Sequence, residues 1–467
     1  MKNNIAIAIL CALLISSCVE NPNVTEEVYL SNPNATSSWI TGLKRQLAIT
    51  TNTVNINVAI TSDNYFNNYS QYSKVFDALQ ISFIDVDVNA LQADVQALRE
   101  MASYGIETIL PSDDSATEED EAYMYFCLGY SNLLGGELFT GLPASNLGEV
   151  LNPQEMLQKA LTHLETAAAL EPSEEKKSAY RLLQARAYYD LGDVVKASQM
   201  ATEALRTNQL VYQVDFDGQN GISNTMQTAT FDALPNRLAP LPRLDFLDPK
   251  YYSIGTPETN QKPVVIAKAE EAYLILAEAT LSENLIAQTK QHLYDLLDLI
   301  ATRPVVEVDD SNETRNGGNR QDYPLTAVAV KFDAEEEFQE DYILDRQQEL
   351  INVYTISGTR VTEQDITNAL NSDQLLYLIY RLRQEVFISE GRRVTDLGIK
   401  YPISQIEQDN NPNIDAGYTT SQIPDFIANA DVLDNFQVDG SGNIIIDVDM
   451  NKIIVQNKTS PVIVPFF

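Results

Sequence analysis

Asn152-Pro153-Gln154-Glu155-Met156-Leu157-Gln158-Lys159-Ala160-Leu161-Thr162-His163-Leu164-Glu165-Thr166-Ala167-Ala168-Ala169-Leu170-Glu171-Pro172-Ser173 decides the fold. Asn152 is a helix cap, Pro153 fits the first turn, and Glu155 stands at the third position to return the capping bond. The helix runs to about Leu170 and Pro172 ends the unit. Ala160, Leu164 and Ala167 put small and apolar groups on one face, spaced 4 and 3 apart, with Pro172 5 residues on. Ser173 with Glu174 and Glu175 opens the next helix, which closes at Gly192, and a partner helix spans Val194 to Arg206.

Working outward, the pattern recurs. Ala185, Tyr188, Ala197, Ala201 and Ala204 repeat it more fully, with Ala197 following Ala160 by 37 residues. A fainter copy is Ala277, Thr289, Leu293 and Leu296. This is similar to the tetratricopeptide repeat, whose period is about 34 residues and whose small residues let two helices approach closely. Ala stands where that repeat places large aromatics, so the copies are degenerate; the alternative is ordinary antiparallel helix pairs. Upstream, Thr117 and Asp120 form a capping box, with a helix through Glu121 to Leu134 that stops at Gly135-Gly136. The fold class is therefore mostly α, a degenerate tetratricopeptide-like repeat core with helix pairs near 117–207 and 267–301. Long irregular loops interrupt it at about 209–263 and 305–324, and loops of that length inside a compact protein are functional or disordered. Asp439-Gly440-Ser441-Gly442-Asn443 between apolar alternating runs predicts a small C-terminal β-hairpin.

The chain starts with Lys2, an apolar run Ile5–Ile15, and Ser16-Ser17-Cys18. The run is shorter than the roughly 20 residues that cross a bilayer, and its layout is that of a secretory signal. Leu14-Ile15-Ser16-Ser17-Cys18 resembles a bacterial lipobox. That resemblance implies a signal peptide over 1–17, lipid on Cys18, and an extended tether to residue 35, followed by a single helical domain over 36–467. More than one acyl chain gives durable attachment.

With 31 basic and 66 acidic residues the net charge is -35, which excludes nucleic acid as a partner because phosphate binding needs clustered Lys and Arg. Of the 3 cysteines, Cys11 lies in the signal, Cys18 is the lipid site, and Cys127 falls in an apolar helical pattern, a small buried hydrophobe with no disulfide framework. His163 and His292 each sit on a predicted helix without a second ligand, so no metal or cofactor site is expected. Asp85, Asp87, Asn89 and Asp447, Asp449, Asn451 lack the glycine and closing Glu of a calcium loop. The first run reads as a cap for a helix from Asn89, the second as the exposed face of a strand. No nucleophile elbow, phosphate loop or Cys–His pair is present, and no carboxylate pair is singled out for glycoside hydrolysis. The expected activity is binding, not catalysis.

Aromatic rings stack on apolar sugar faces while amides bond hydroxyls. Tyr65, Phe66, Tyr69 and Tyr72 interleave with Asn64, Asn67 and Asn68, and Tyr251, Tyr252 and Tyr323 lie on the long loops. Tyr65, Phe66, Asn68, Tyr69, Tyr72, Tyr251, Tyr252 and Tyr323 are the candidate ligand contacts. The alternative for 65, 69 and 72, spaced 4 and 3 apart, is a helix face packed on the core. Trp39, the one tryptophan, is assigned to the core.

Three segments together resemble the SusD/RagB family of surface nutrient-binding lipoproteins. Lys268-Ala269-Glu270-Glu271-Ala272-Tyr273-Leu274-Ile275-Leu276-Ala277-Glu278-Ala279 is similar to the family's helix running into Ala-Glu-Ala. Arg383-Gln384-Glu385 followed by Glu390-Gly391-Arg392 and Asp396-Leu397 is similar to its Glu-Gly-x-Arg signature. Leu247-Asp248-Pro249-Lys250-Tyr251-Tyr252 is similar to its Asp-Pro-Arg turn. Leu382, Val394 and Lys250 depart from the family pattern. The resemblance makes Glu278, Arg383, Glu385, Glu390, Gly391, Arg392 and Asp396 signature residues with a structural role. Read from the residues alone, the second segment is structural too: a helix from about Asp373 ends at Gly391, a left-handed cap, and Arg392 or Arg393 pairs with Glu390 or Asp396 to fix the next turn. The resemblance implies an outer-membrane lipoprotein that captures an oligosaccharide, or a peptide, and passes it to a SusC-like TonB-dependent transporter. The alternative is a repeat scaffold for an envelope assembly.

Overall fold

The computed structural model describes residues 29–30, 32–68, 74–313, 321–348, 350–427, 433 and 435–467. Cys18, the tether before residue 29, and Tyr69 and Tyr72 lie outside the described residues. The main helices are α1 (Ala35–Thr61), α2 (Val86–Tyr104), α3 (Glu118–Leu138), α4 (Pro153–Leu170), α5 (Glu174–Asp190), α6 (Val194–Ala204), α7 (Ala269–Ser282), α8 (Ile286–Ala301) and α9 (Ser372–Val386). No helix among the described residues is long and apolar enough to cross a membrane.

The caps fall where the sequence puts them. Thr117 and Asp120 exchange bonds at the head of α3, and Asn152 and Glu155 do so at the head of α4. Ser173 caps α5, and Gly192 follows that helix with φ of +72°. The repeat positions are interior: Ala160, Leu164, Ala167, Ala185, Ala197, Ala201, Ala277, Thr289, Leu293 and Leu296 are all fully buried. Each helix packs on the next from α3 to α6, α6 on α7, and α7 on α8.

One boundary differs. The Gly135-Gly136 pair does not stop α3, which continues to Leu138. A Cβ on Gly136 would lie 2.7 Å from Leu157 Cγ and one on Gly135 2.8 Å from Met156 Sδ. The glycines serve the approach of α4. Their intrinsic penalty of about 1 kcal/mol each in a helix is outweighed by the packing of α3 on α4.

The predicted loops carry more order than their composition suggests. Val211–Val214 pairs antiparallel with Val264–Lys268, so the two ends of the 209–263 insertion are joined. Inside it, Leu238–Pro240 pairs with Tyr65–Asn67. Val305–Val308 pairs with Ile351–Tyr354. The expected hairpin is present, Phe436–Val438 against Ile444–Ile446, with Val330–Lys331 added in parallel. Asp449 lies beyond that strand, not on its exposed face: it is buried, caps the short helix Met450–Gln456, and pairs with Arg243 at 2.8 Å. Asp85 is itself the cap of α2, which starts at Val86 rather than Asn89. Cys127 is buried, as read. Trp39 is half-buried against the core and donates to Met101 O at 2.9 Å.

Candidate functional site

The proposed stacking residues turn out to be interior. Tyr65, Phe66, Asn68, Tyr251, Tyr252 and Tyr323 are all at most 6% exposed. Tyr65 is in a strand, not on a helix face, and its hydroxyl meets Ser389 Oγ at 2.7 Å. Tyr251 donates to Ser389 O at 2.9 Å, and Tyr323 to Pro240 O at 2.9 Å. Asn68 Nδ2 donates to Asn236 O. A buried ring offers no platform, and the tips of Tyr65, Tyr251 and Tyr323 are already bonded, so this structure corrects those assignments. Their amphipathic chemistry serves burial with one satisfied polar end.

The segments that carry the family resemblance converge on one buried lattice of charge. Glu390 receives Lys268 Nζ at 2.7 Å and Lys250 Nζ beside it. Glu271 is held by Arg186 at 2.7 Å and Arg392 at 2.8 Å. Arg383 meets Asp396 at 2.7 Å, and Arg393 meets Asp63 at 2.6 Å. Glu385 accepts from Arg381 Nε at 3.0 Å. Glu278 accepts from Tyr189 Oη at 2.8 Å. The partners of Arg392 and Arg393 are thus Glu271 and Asp63, from distant segments; only Asp396, 3.9 Å from Arg393, is a neighbour in sequence. Gly391 has φ of +68° as expected, but α9 has already ended at Val386.

Burial sets the electrostatics here. It opposes the charge on Glu271, but the Arg186 and Arg392 guanidiniums outweigh it and hold that carboxyl down to about 2. Burial pushes Glu278 up to about 7, against the pull of Arg383, and pushes the Lys250 ammonium down to about 8, against Glu390. Each of these charges meets an opposite charge or a hydroxyl, although Arg392 Nε and Nη2, Arg393 Nη1 and Glu278 Oε1 keep no hydrogen-bond partner among the described residues. Buried this deeply, the set fixes geometry.

An open trough of about 610 Å³ lies outside the repeat pairs, between the short helix Glu363–Asn368, the head of α9 and the helix Met450–Gln456. That volume is in the range of small-ligand sites. Half-buried Tyr377 lines it, its hydroxyl tied to Asp449 Oδ2 at 2.6 Å. The amides around it are used on one side only. Asn368 Oδ1 accepts from Gln364 at 2.7 Å, Asn371 Oδ1 from Gln374 N at 3.0 Å, and Gln374 Oε1 from Leu370 N at 2.6 Å. Each carbonyl is engaged in the local fold and each amide nitrogen is left to the trough or to solvent. Arg381 and Lys452, the cations of the lining, are both engaged: Arg381 with Glu385, Lys452 with Asp333 and Glu336. Among the described residues no group of three or more His, Cys, Asp or Glu is placed to hold a metal ion.

No protein-family model matches the sequence, and no curated protein resembles it in sequence. Solved structures do resemble the fold. A SusD superfamily protein from Bacteroides vulgatus is similar at TM-score 0.54 and 11% identity, over 83% of this chain and 100% of that one. The chain has the SusD fold. A SusD superfamily protein from Bacteroides fragilis gives TM-score 0.53 and 13% identity, over 82% and 99%. A SusD-like carbohydrate binding protein from Bacteroides vulgatus gives 0.50 and 11%, over 78% and 83%.

In this version of the SusD fold other hollows accompany the trough, among them one of about 450 Å³ beside Tyr188 and Lys196. A cavity of about 440 Å³ lies between the ends of α3 and α5 and the tail Pro461–Pro465. Lys400 Nζ donates there to Gly136 O at 2.6 Å and Glu137 O at 3.0 Å, satisfying the last carbonyls of α3, as cations at helix C-termini do. A smaller cleft of about 250 Å³ holds Tyr123 and Tyr212 beside Lys44 and Lys176. The trough is larger than each of these and combines that volume with a ring and unused donors. Sequence reasoning passed over its residues. The signal that points to them is the three-residue spacing of Asn368, Asn371 and Gln374 across a helix boundary.

Proposed function

We propose that this chain is a divergent SusD-like surface lipoprotein that captures a glycan fragment and delivers it to a SusC-like TonB-dependent outer-membrane transporter. Lipid on Cys18 holds it to the outer membrane. The observation that carries the reading is the SusD fold over four-fifths of the chain, matching nearly the full length of the solved proteins. The lipobox-like segment and the convergence of the three family-like segments on one lattice support it. The carbohydrate binding named for one structural neighbour gives the ligand class, and the trough beside Tyr377 is the capture surface. No cofactor and no catalytic step belongs to this reading; capture is by stacking and hydrogen bonds.

Anchoring is tested in cells. Wild-type protein should take up labelled fatty acid and sediment with outer membrane, and Cys18→Ser should do neither. Membrane retention of Cys18→Ser together with an unlabelled wild type overturns the lipoprotein assignment.

A further inference from the structure

Resting on the capture reading, we infer that the trough selects uncharged, hydroxyl-rich oligosaccharides and rejects anionic ones such as uronic acid oligomers. The charge inventory carries the selection. Glu336, Asp365 and Asp373 stand among the lining, and its two cations, Arg381 and Lys452, are already engaged with carboxylates. Lys452 bonds Asp333 and Glu336, Arg381 bonds Glu385 and the Tyr342 hydroxyl, and Lys458 bonds Asp373 at 2.5 Å. A sugar carboxylate entering here finds no unpaired cation. It meets a lining whose balance stays negative, because Lys452 answers two carboxylates at once and Asp365 has no salt bridge among the described residues, and like charges at a few ångströms repel even in water.

A neutral sugar finds complementary groups. The amide nitrogens of Asn368, Asn371 and Gln374, left over because their carbonyls are engaged, donate to hydroxyl oxygens. Carboxylate oxygens of Glu336 and Asp365 accept from hydroxyls. The Tyr377 ring offers an apolar face. Its hydroxyl is fixed by Asp449, so the ring is positioned before a ligand arrives, which lowers the ordering cost of binding.

The test uses the soluble protein from residue 19 onward, with calorimetry over neutral gluco-, xylo-, manno- and galacto-oligosaccharides, oligogalacturonate, and a peptide panel. A neutral oligosaccharide should bind, with oligogalacturonate of equal length about tenfold weaker or worse. Tyr377→Ala should weaken binding about five- to tenfold. Tyr377→Phe, which keeps the ring, should bind within about twofold of wild type. Melting temperature reports whether each variant folds, and Asn368→Ala provides a second, exposed position. Oligogalacturonate binding as tightly as a neutral glycan overturns the selectivity but leaves capture standing. A neutral glycan bound equally by wild type, folded Tyr377→Ala and Asn368→Ala moves the site elsewhere and overturns the trough. Binding confined to peptides, or absent across all panels, overturns the glycan-capture reading itself.

Discussion

The buried lattice and the exposed trough use similar residues to opposite ends. In the lattice, Lys250, Lys268, Arg186, Arg392 and Arg383 each meet a carboxylate, and the groups are at most 5% exposed. In the trough, pairing is deliberately incomplete at the amides: one atom of each is engaged and the other is free. A fold is held by closing most of its buried polar bonds, because an open one inside costs about 1–3 kcal/mol; the few lattice atoms left open, such as Arg392 Nε, are out of a ligand's reach. A ligand is held by bonds left open where water can fill them meanwhile. The difference explains why the family-like segments of this chain mark structure, while the proposed binding groups lie in segments without any motif.

Breaking the lattice should have the largest effect. Glu271→Ala leaves the Arg186 and Arg392 guanidiniums buried without their main anion. Removing one member of such a set costs about 3–5 kcal/mol. Glu137 stands 4.0 and 3.8 Å from the same two guanidiniums and offsets part of this, so a loss near the lower end is expected in chemical denaturation. A loss under about 1 kcal/mol would mean that the lattice behaves like a surface ion pair.

Next in size is a pH effect at Glu278. Its carboxyl is raised from 4.5 to about 7 by burial, against Arg383 and the Tyr189 hydroxyl. The folded state therefore holds this proton more tightly than the unfolded one. The contribution is fully present below about pH 4.5 and is lost as pH rises through about 7. Over that window it amounts to about 3 kcal/mol. Glu278→Gln fixes the neutral form. The stability of wild type relative to this variant should therefore fall between pH 4.5 and 7.5, read from denaturation midpoints. A difference that stays flat across that window would show that Glu278 is ionised in the fold.

How much of this was legible follows from range. Caps at Thr117 and Asn152 were readable because both partners lie within three residues. The repeat register at Ala160, Ala185 and Ala197 was readable because a helix face repeats over a few turns. Gly135-Gly136 misled because its reason lies on another helix, at Met156 and Leu157. Asp449 misled because Arg243 lies 206 residues away. The Tyr65 to Tyr323 set misled for the same reason: composition shows an aromatic with a polar tip, but not whether Ser389 or a ligand meets that tip. The segment from Arg383 to Asp396 indicated a polar fold lock, yet most of its pairs reach far along the chain, Arg393 with Asp63 across 330 residues and Arg392 with Glu271 across 121.

The smallest expected effect on stability belongs to the trough, and it sharpens the comparison most. Asn368 is exposed, and its carbonyl is bonded only by Gln364, itself at the surface. Asn368→Ala removes that bond where water replaces it, so stability should change by no more than about 0.5 kcal/mol. The same change deletes a donor to the ligand, for which an uncharged hydrogen bond is worth about 0.5–1.5 kcal/mol, or a several-fold loss in affinity. Binding and stability thus separate at Asn368, whereas in the lattice the same kind of deletion acts on stability first. Calorimetry and thermal melting on one preparation read both quantities. A melting temperature lowered by several degrees with unchanged affinity would place Asn368 among the residues that hold the fold and erase the contrast between the two regions.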